Sequence, residues 1–227
     1  MEELLNSEDP EEWLEETKKD RFETFRNESV VGDHCEACQY SPDPVIKRGS
    51  LDADLVVVGS YPSGEDFQNR TPFSGAVGEL LDEMLAAIDL DVESDCYLTN
   101  ALLCGGPEEN PAEKSVDACR INVNRQLELV SPDVVLGLGK YAYCSLYHEP
   151  VSTDFRDKLG YQGSIPDFPW LEGVVTVHPA MILHQPEGSD KRRRLKQLAW
   201  DSLQRVESIL REEPVSDPDE EDEDSSK

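Results

Sequence analysis

Short apolar runs alternate with stretches of helical periodicity along most of this chain. Each run has the length of a buried strand and ends near a Gly, Asn or His residue. Strands that alternate with helices favour a parallel sheet with helices on both faces, because parallel strands are joined by helix-length crossovers. We therefore predict an α/β fold with strands at 55–58, 96–102, 133–138 and 174–177.

The predicted helices lie between and after these strands. Apolar residues recur at helical spacing from about residue 75, in 115–129, in 140–147 and in 190–211. Residues 149–170 contain several Gly and Pro residues, so we predict a loop or lid there.

The two ends of the chain differ from this body. Residues 1–28 predict a charged helical extension, and 212–227 predict a disordered acidic tail. Because the length allows one substantial core, we assign one domain to 29–211. The apolar residues of the extension that can contact the body are Leu4, Leu5, Trp13, Leu14 and Phe22.

The charge of the chain is strongly acidic. It has 49 Asp and Glu against 21 Lys and Arg, which gives a net charge of −28. Such a composition suits a halophile, in which dense carboxylates keep the surface hydrated; a mesophilic protein with basic partners is the alternative. With an acidic N-terminus and no apolar stretch of membrane-spanning length, we expect a cytoplasmic protein without a membrane partner.

Four predicted strand ends carry residues suited to a site. Gly59, Asn100, Gly139 and His178 each follow or close an apolar run, so a parallel sheet places them at one edge. Ligands bind outside the carboxyl ends of such strands. The Gly-, Pro- and Ser-rich loop at 59–75 is therefore the first candidate for chemistry, with an ordinary βα turn as the alternative.

The six cysteines are too few for a disulfide scaffold of this length. Cys35 and Cys38 form a C-x2-C pair, and Cys104 and Cys119 are two more distant thiols. Two close and two remote thiolates can bind one iron-sulfur cluster or one zinc ion. The other two cysteines, Cys96 and Cys144, have apolar neighbours and are predicted to be buried hydrophobes.

Several motifs in order make the chain resemble a known enzyme family. They are VVVGSYPSGED, RTPFSGAVGELLDEML, YLTNALLC, LVSPDVVLGLG and HPAMIL. Together with the four spaced cysteines, they resemble the iron-sulfur uracil-DNA glycosylases usually called family 4, over about residues 35–203. An ordered series of motifs is more specific than any single motif.

The resemblance implies a fold, a cofactor and a partner. The implied fold is a three-layer α/β/α sandwich around a four-stranded parallel sheet. The implied cofactor is a structural [4Fe-4S] cluster held by Cys35, Cys38, Cys104 and Cys119. The implied partner is DNA with a deaminated base, most simply uracil, which is flipped out and hydrolysed from its sugar by a monomeric repair enzyme.

The resemblance also implies roles for pocket residues. Phe73 matches the residue that stacks on the flipped base, Asn100 the residue that reads the base edge, and His178 the residue that donates to the base oxygen where negative charge develops. The alternatives are a core phenylalanine, a strand-end cap and a structural histidine. Backbone amides from Gly59 onward add hydrogen-bond donors.

The chain departs from the family at one loop. The family has Gly-Glu-Ala-Pro-Gly, whereas here Gly59 is followed by Ser60, Tyr61, Pro62 and Ser63. Ser60 therefore occupies a catalytic carboxylate position, Tyr61 lies beside the base, and the following Glu65 and Asp66 are possible replacements. The loop also resembles that of a branch that excises hypoxanthine. A hypoxanthine glycosylase and a non-catalytic lesion-binding protein are therefore alternatives, and a redox protein is less consistent with the three pocket residues.

The DNA contacts are predicted at the end of the chain's body. Leu183 ends the HPAMIL motif and His184 follows it, in a segment that resembles the one that inserts into the DNA groove. A dense basic cluster comes next and contacts phosphates in this interpretation; a solvated helix face is the alternative. Its members are Lys191, Arg192, Arg193, Arg194 and Lys196.

Overall fold

A computed structural model describes residues 10–31, 44–104 and 113–211. Within these ranges the chain forms one six-stranded sheet with helices on both faces. The strands are β1 (Arg48–Gly49), β2 (Leu55–Gly59), β3 (Cys96–Asn100), β4 (Val134–Leu138), β5 (Gln162–Ile165) and β6 (Phe168–Thr176).

The four predicted strands form the parallel centre of this sheet. The strand order is β1-β3-β2-β4-β6-β5, in which β3, β2, β4 and β6 run parallel. The predicted α/β class and the central parallel strands are thus confirmed. The sheet also has two edge strands that were not predicted, β1 and β5, which run antiparallel to β3 and β6. Both are short and mostly polar, so neither shows an apolar run.

The prediction of a loop or lid at 149–170 was wrong for half of that range. It contains a 3-10 helix, Phe155–Lys158, then β5 and the first residues of β6, which pair as a hairpin. The hydroxyl of Tyr147 lies 3.0 and 2.9 Å from the carbonyl oxygens of Gly163 and Gly173, which face each other across the two strands. Backbone pairing builds this hairpin, which explains why its hydrophobic pattern is weak.

The helices are close to their predicted positions where they are long. Two short helices, Gly64–Asn69 and Pro179–Leu183, lie in segments that were predicted as loops, because each has fewer than two turns. The helices are α1 (Pro10–Val31), α2 (Gly64–Asn69), α3 (Ala76–Ala86), α4 (Glu113–Val130), α5 (Gly139–Tyr147), α6 (Pro179–Leu183) and α7 (Asp190–Arg211).

Alternate residues of β2 fill the two halves of the core. Val56 and Val58 belong to the cluster packed under α4 and α5, whereas Leu55 and Val57 belong to the cluster under α3 and α7. All five residues of β2 are buried, as expected for a central parallel strand covered on both faces. The predicted three-layer arrangement is confirmed.

Helix α1 packs against α4 on the outside of this sandwich. Its Phe22 and Phe25 are buried in a cluster with Leu103 and Leu129, as was predicted for Phe22. None of the described helices combines the length and apolar character needed to cross a membrane. Outside the described residues lie Leu4, Leu5, the predicted tail 212–227, and the side chains of Trp13 and Leu14.

Candidate active site

The carboxyl ends of the parallel strands meet at one edge of the sheet. Gly59 at the end of β2 pairs with Asn100 at the end of β3, and β4 and β6 end together at the pair Leu138 and Thr176. A cavity of about 400 Å³ opens at this edge. Its lining includes Ser60, Tyr61, Glu65, Phe73, Asn100 and His178.

Gly59 lets two of these side chains meet. A Cβ at this position would collide with Oδ1 of Asn100 and would come within 2.5 Å of Cζ of Phe73. Asn100 is 2% exposed, so its amide lies deep in the cavity. A glycine at the end of the central strand therefore allows a polar side chain and an aromatic ring to pack over the backbone.

Phe73 adopts an unusual backbone conformation. Its φ of 57° lies in the left-handed region, which is strained for a residue with a Cβ. The ring is buried, with its centroid 6.3 Å from that of His178 and its plane inclined by 26°. The two rings therefore lie nearly parallel beside the cavity.

His178 caps the N-terminus of α6 through its side chain. Its Nδ1 accepts a hydrogen bond from the backbone N–H of Ala180, 3.3 Å away. The pKa of His178 is lowered to about 4, mainly by burial; the nearby Asp66 opposes this change and His184 adds to it. The imidazole is therefore neutral at pH 7, with its proton on Nε2.

The loop after β2 continues the sheet pairing at the cavity wall. The carbonyl oxygens of Gly59 and Ser60 accept hydrogen bonds from the N–H groups of Ala101 and Leu102. The ring of Tyr61 meets that of Tyr141 edge-on, with centroids 5.8 Å apart. The predicted residues Ser60 and Tyr61 thus line the cavity, and Gly59 lies next to its residues Asn100 and Phe73.

Two neighbouring carboxylates differ in their surroundings. Asp66 is buried, and both of its oxygens accept hydrogen bonds from Ser63 and Ser74. Glu65 is exposed, and its carboxylate lies against Gly75 at the cavity wall. Both residues line the cavity, and Asp66 is the one whose oxygens are engaged in hydrogen bonds between loops.

Tyr141 and Met181 are among the lining residues that the sequence interpretation missed. Tyr141 lies in the first turn of α5, and Met181 lies in α6 with 40% of its surface exposed. Both follow Gly139 and His178, two of the strand ends that were predicted to lie at the carboxyl edge of the parallel sheet. Position alone, two residues beyond Gly139 and three beyond His178, is the feature that could have identified them.

The cysteines divide into two groups. Cys104 and Cys119 are buried, whereas Cys35 and Cys38 lie outside the described residues. Within 10–31, 44–104 and 113–211, no three His, Cys, Asp or Glu side chains are arranged to hold a metal ion.

Cys96 and Cys144, the two cysteines predicted to be buried hydrophobes, each have surroundings that account for their burial. Burial, aided by nearby acids, raises the pKa of Cys96 to about 12, which favours its thiol form. The thiol of Cys144 donates a hydrogen bond to the carbonyl of Pro150. Both are buried, as predicted.

The predicted DNA contacts lie on α6, α7 and the turn between them. Leu183 is half-buried, and the exposed His184 also lines the cavity. Arg192 donates to the carbonyl of Gln185, so part of the basic cluster stabilises the turn. The remaining members of the cluster, Lys191, Arg193, Arg194 and Lys196, are exposed, and Arg193 pairs with Asp190.

Comparisons with known proteins match the chain to a glycosylase superfamily. A family model described as the uracil DNA glycosylase superfamily matches residues 46–204. A type-4 uracil-DNA glycosylase of Archaeoglobus fulgidus is 33% identical over 144 residues, which cover 61% of this chain and 71% of that protein. Enzymes of the same name from Sulfurisphaera tokodaii and Thermotoga maritima are 26% and 25% identical, over 74% and 81% of this chain and 78% and 95% of their own lengths.

Proposed function

The chain belongs to the uracil DNA glycosylase superfamily, and we propose that it hydrolyses the bond between uracil and deoxyribose in DNA. The product is an abasic site and free uracil. The enzyme acts on a base that has left the stack, since the bond is out of reach inside a duplex.

One observation carries this proposal: the neutral His178 shares a cavity with Asn100 and Phe73. When the C1′–N1 bond breaks, its electron pair passes to the base, and negative charge develops on the base oxygens. The Nε2–H of a neutral imidazole can donate a hydrogen bond to such an oxygen and stabilise the negative charge that develops there. A buried amide offers both a donor and an acceptor to the base edge, and the ring of Phe73 supports the base face.

The other half of the reaction is the addition of water to the sugar. The water oxygen bonds to C1′, its proton passes to solvent, and the uracil anion takes up one proton as it leaves. Ser60 has no charge with which to stabilise the positive sugar. We assign that role to Glu65, because Asp66 uses both carboxylate oxygens in hydrogen bonds to Ser63 and Ser74.

We also propose that a [4Fe-4S] cluster is bound by Cys35, Cys38, Cys104 and Cys119. Two facts support it: the two described members are buried thiols, and the other buried cysteines, 96 and 144, have surroundings that explain them without a metal. The cluster would tie the chain at 35–38 to α4 and the end of β3, and it supplies no chemistry to the bond that breaks.

The DNA surface in this proposal runs from the cavity over α6 to the first turns of α7. Leu183 and His184 face the groove, and Arg193 and Arg194 contact phosphates. The acidic body repels DNA weakly in molar salt, because the Debye length there is about 3 Å. We therefore place this enzyme in a salt-rich cytoplasm. In this proposal it acts as a monomer. Its catalytic unit spans 29–211, between an extension at 1–28 and a tail at 212–227.

The experiment that tests the function uses two oligonucleotides, one with a single uracil and one with a single hypoxanthine. The protein is purified without oxygen, incubated with each in molar potassium chloride, and assayed for alkali-labile strand breaks. Breaks at uracil support the proposal. Breaks only at hypoxanthine would reassign the substrate, and binding without breaks at either base would contradict catalysis.

A further inference from the structure

Asp66 lies between two loops that border the cavity and is only 5% exposed. Its Oδ2 accepts hydrogen bonds from the N–H and the hydroxyl of Ser63, at 2.7 and 2.9 Å. Its Oδ1 accepts from the N–H and the hydroxyl of Ser74, at 2.8 and 3.0 Å. A carboxylate has about four acceptor positions, so this one is fully used inside the protein.

Only half of this arrangement is explained by helix capping. Ser63 and Asp66 form a capping box that begins α2. Ser74 lies eight residues from Asp66 and beyond the end of α2 at Asn69, so its two hydrogen bonds do not belong to any helix start. They join the loop that follows β2 to the loop that leads into α3.

The second loop needs such support because Phe73 directly precedes Ser74. Its left-handed backbone is strained, and strained conformations persist only where the surroundings fix them. On one side, the N–H of Ser74 is held by Asp66. On the other side, the carbonyl of Phe73 lies against Gly78, where a Cβ would collide with it, and near the guanidinium of Arg48.

We propose that Asp66 is a positioning residue of the base pocket, which acts through Ser74 to hold the ring of Phe73 beside His178. This inference rests on the proposed function, since it assigns a purpose to the ring that stacks on the base. Asp66 touches no substrate atom in this account. Its effect on affinity passes through the backbone of residues 73 and 74.

The test compares the binding of free uracil by three variants. Asp66→Asn removes one acceptor and the charge, and Ser74→Ala removes one hydroxyl. Asn69→Ala is the matched control, because the amide of Asn69 donates to the same hydroxyl at 3.2 Å without contacting Asp66. Calorimetry measures the Kd of uracil, and a thermal melt and the Kd of abasic DNA report on the rest of the fold.

We expect Asp66→Asn to weaken uracil binding about tenfold and Ser74→Ala about threefold, since buried hydrogen bonds to a charged group are lost. The double variant should bind uracil no more weakly than Asp66→Asn alone, because both changes break the same link. Asn69→Ala should bind uracil as the wild type does, and all variants should keep the wild-type affinity for abasic DNA.

Uracil affinity that is unchanged in both Asp66→Asn and Ser74→Ala, with only the melting temperature lowered, would overturn the positioning role and leave Asp66 as a cap of α2. Cleavage by the wild type is scored separately. Failure to release uracil from DNA would contradict the proposed function, whereas loss of uracil affinity in these variants would still support the positioning role.

Discussion

His178 accepts a hydrogen bond at Nδ1 from the N–H of Ala180, which fixes the remaining proton on Nε2. Burial lowers the pKa of this histidine to about 4, so that tautomer persists across neutral pH. We therefore expect kcat to show no inflection near pH 6.5, the ordinary histidine value, and to fall only toward pH 4. A pH profile of single-turnover cleavage checks this, and an inflection near 6.5 that disappears in His178→Gln would contradict it.

The same pKa predicts how stability depends on pH. Between about pH 4 and 6.5 the unfolded chain binds a proton at residue 178 that the folded chain does not bind. The free energy of unfolding should therefore fall as the pH is lowered through this window. Melting temperatures measured from pH 7 to 5 should decline less steeply in His178→Gln than in the wild type; equal slopes would mean that residue 178 titrates alike in both states.

A methyl group at Gly59 should disrupt the pocket. In Gly59→Ala the new Cβ would press on Oδ1 of Asn100 and Cζ of Phe73, so the base would lose both its edge and its face contacts. We expect kcat/KM for uracil-containing DNA to fall at least about tenfold, as a misplaced contact group commonly causes. Gly64→Ala is the control, because its Cβ meets nothing within 4 Å. Equal activity of the two variants would contradict the described packing.

Glu65 should matter more to the chemical step than to binding. In Glu65→Gln the cavity keeps its shape but loses the negative charge that we assign to the developing positive sugar. We expect kcat to fall about tenfold to a hundredfold while the Kd for uracil-containing DNA falls slightly or stays the same, since less charge then repels phosphates. An unchanged single-turnover rate would show that the cavity works without a carboxylate.

Charge reversal on α7 should weaken DNA binding without affecting the pocket. Arg194→Glu places a negative charge on the exposed first turns of α7, and we expect the Kd for DNA to rise at least about fivefold at moderate salt. Arg26→Glu is the control, because it lies on α1, which packs on α4 and so on the opposite face of the sheet. Fluorescence anisotropy measures both, and equal losses would mean that net charge alone governs binding.

The cysteine assignment predicts a visible difference between two alanine variants. Cys104→Ala should lose the brown colour and iron of the anaerobically purified protein, whereas Cys144→Ala should retain both, since that thiol bonds to the carbonyl of Pro150. Iron analysis and absorbance spectra provide the readout. Full iron content in Cys104→Ala would remove this residue from the ligand set.

The long helices and the central parallel strands, with their carboxyl ends at one edge, were predictable because local sequence patterns form them. β2 is an unbroken apolar run, and the helix at Asp190–Arg211 shows a clear period. The β5–β6 hairpin was not predictable in this way, because backbone pairing and the contact of Tyr147 with Gly163 and Gly173 hold it together rather than an apolar pattern.

The candidate site was predictable in part for the same reason. Asn100 and His178 follow apolar runs, so their common edge is a consequence of parallel topology. The different surroundings of Glu65 and Asp66 depend on Ser74, eight residues away from the second of them, and on a left-handed backbone at Phe73. Such contacts between loops leave no period in the sequence.

The central claim is that neutral His178 and buried Asn100 cleave the base from a bound DNA, and single-turnover release of uracil tests it most directly. His178→Ala and Asn100→Ala should each lower the rate at least about a hundredfold, the usual effect of removing a donor to a developing anion. His148→Ala, at the exposed end of α5, should leave the single-turnover rate unchanged. All three variants should bind abasic DNA as the wild type does. Full release by His178→Ala would contradict the account.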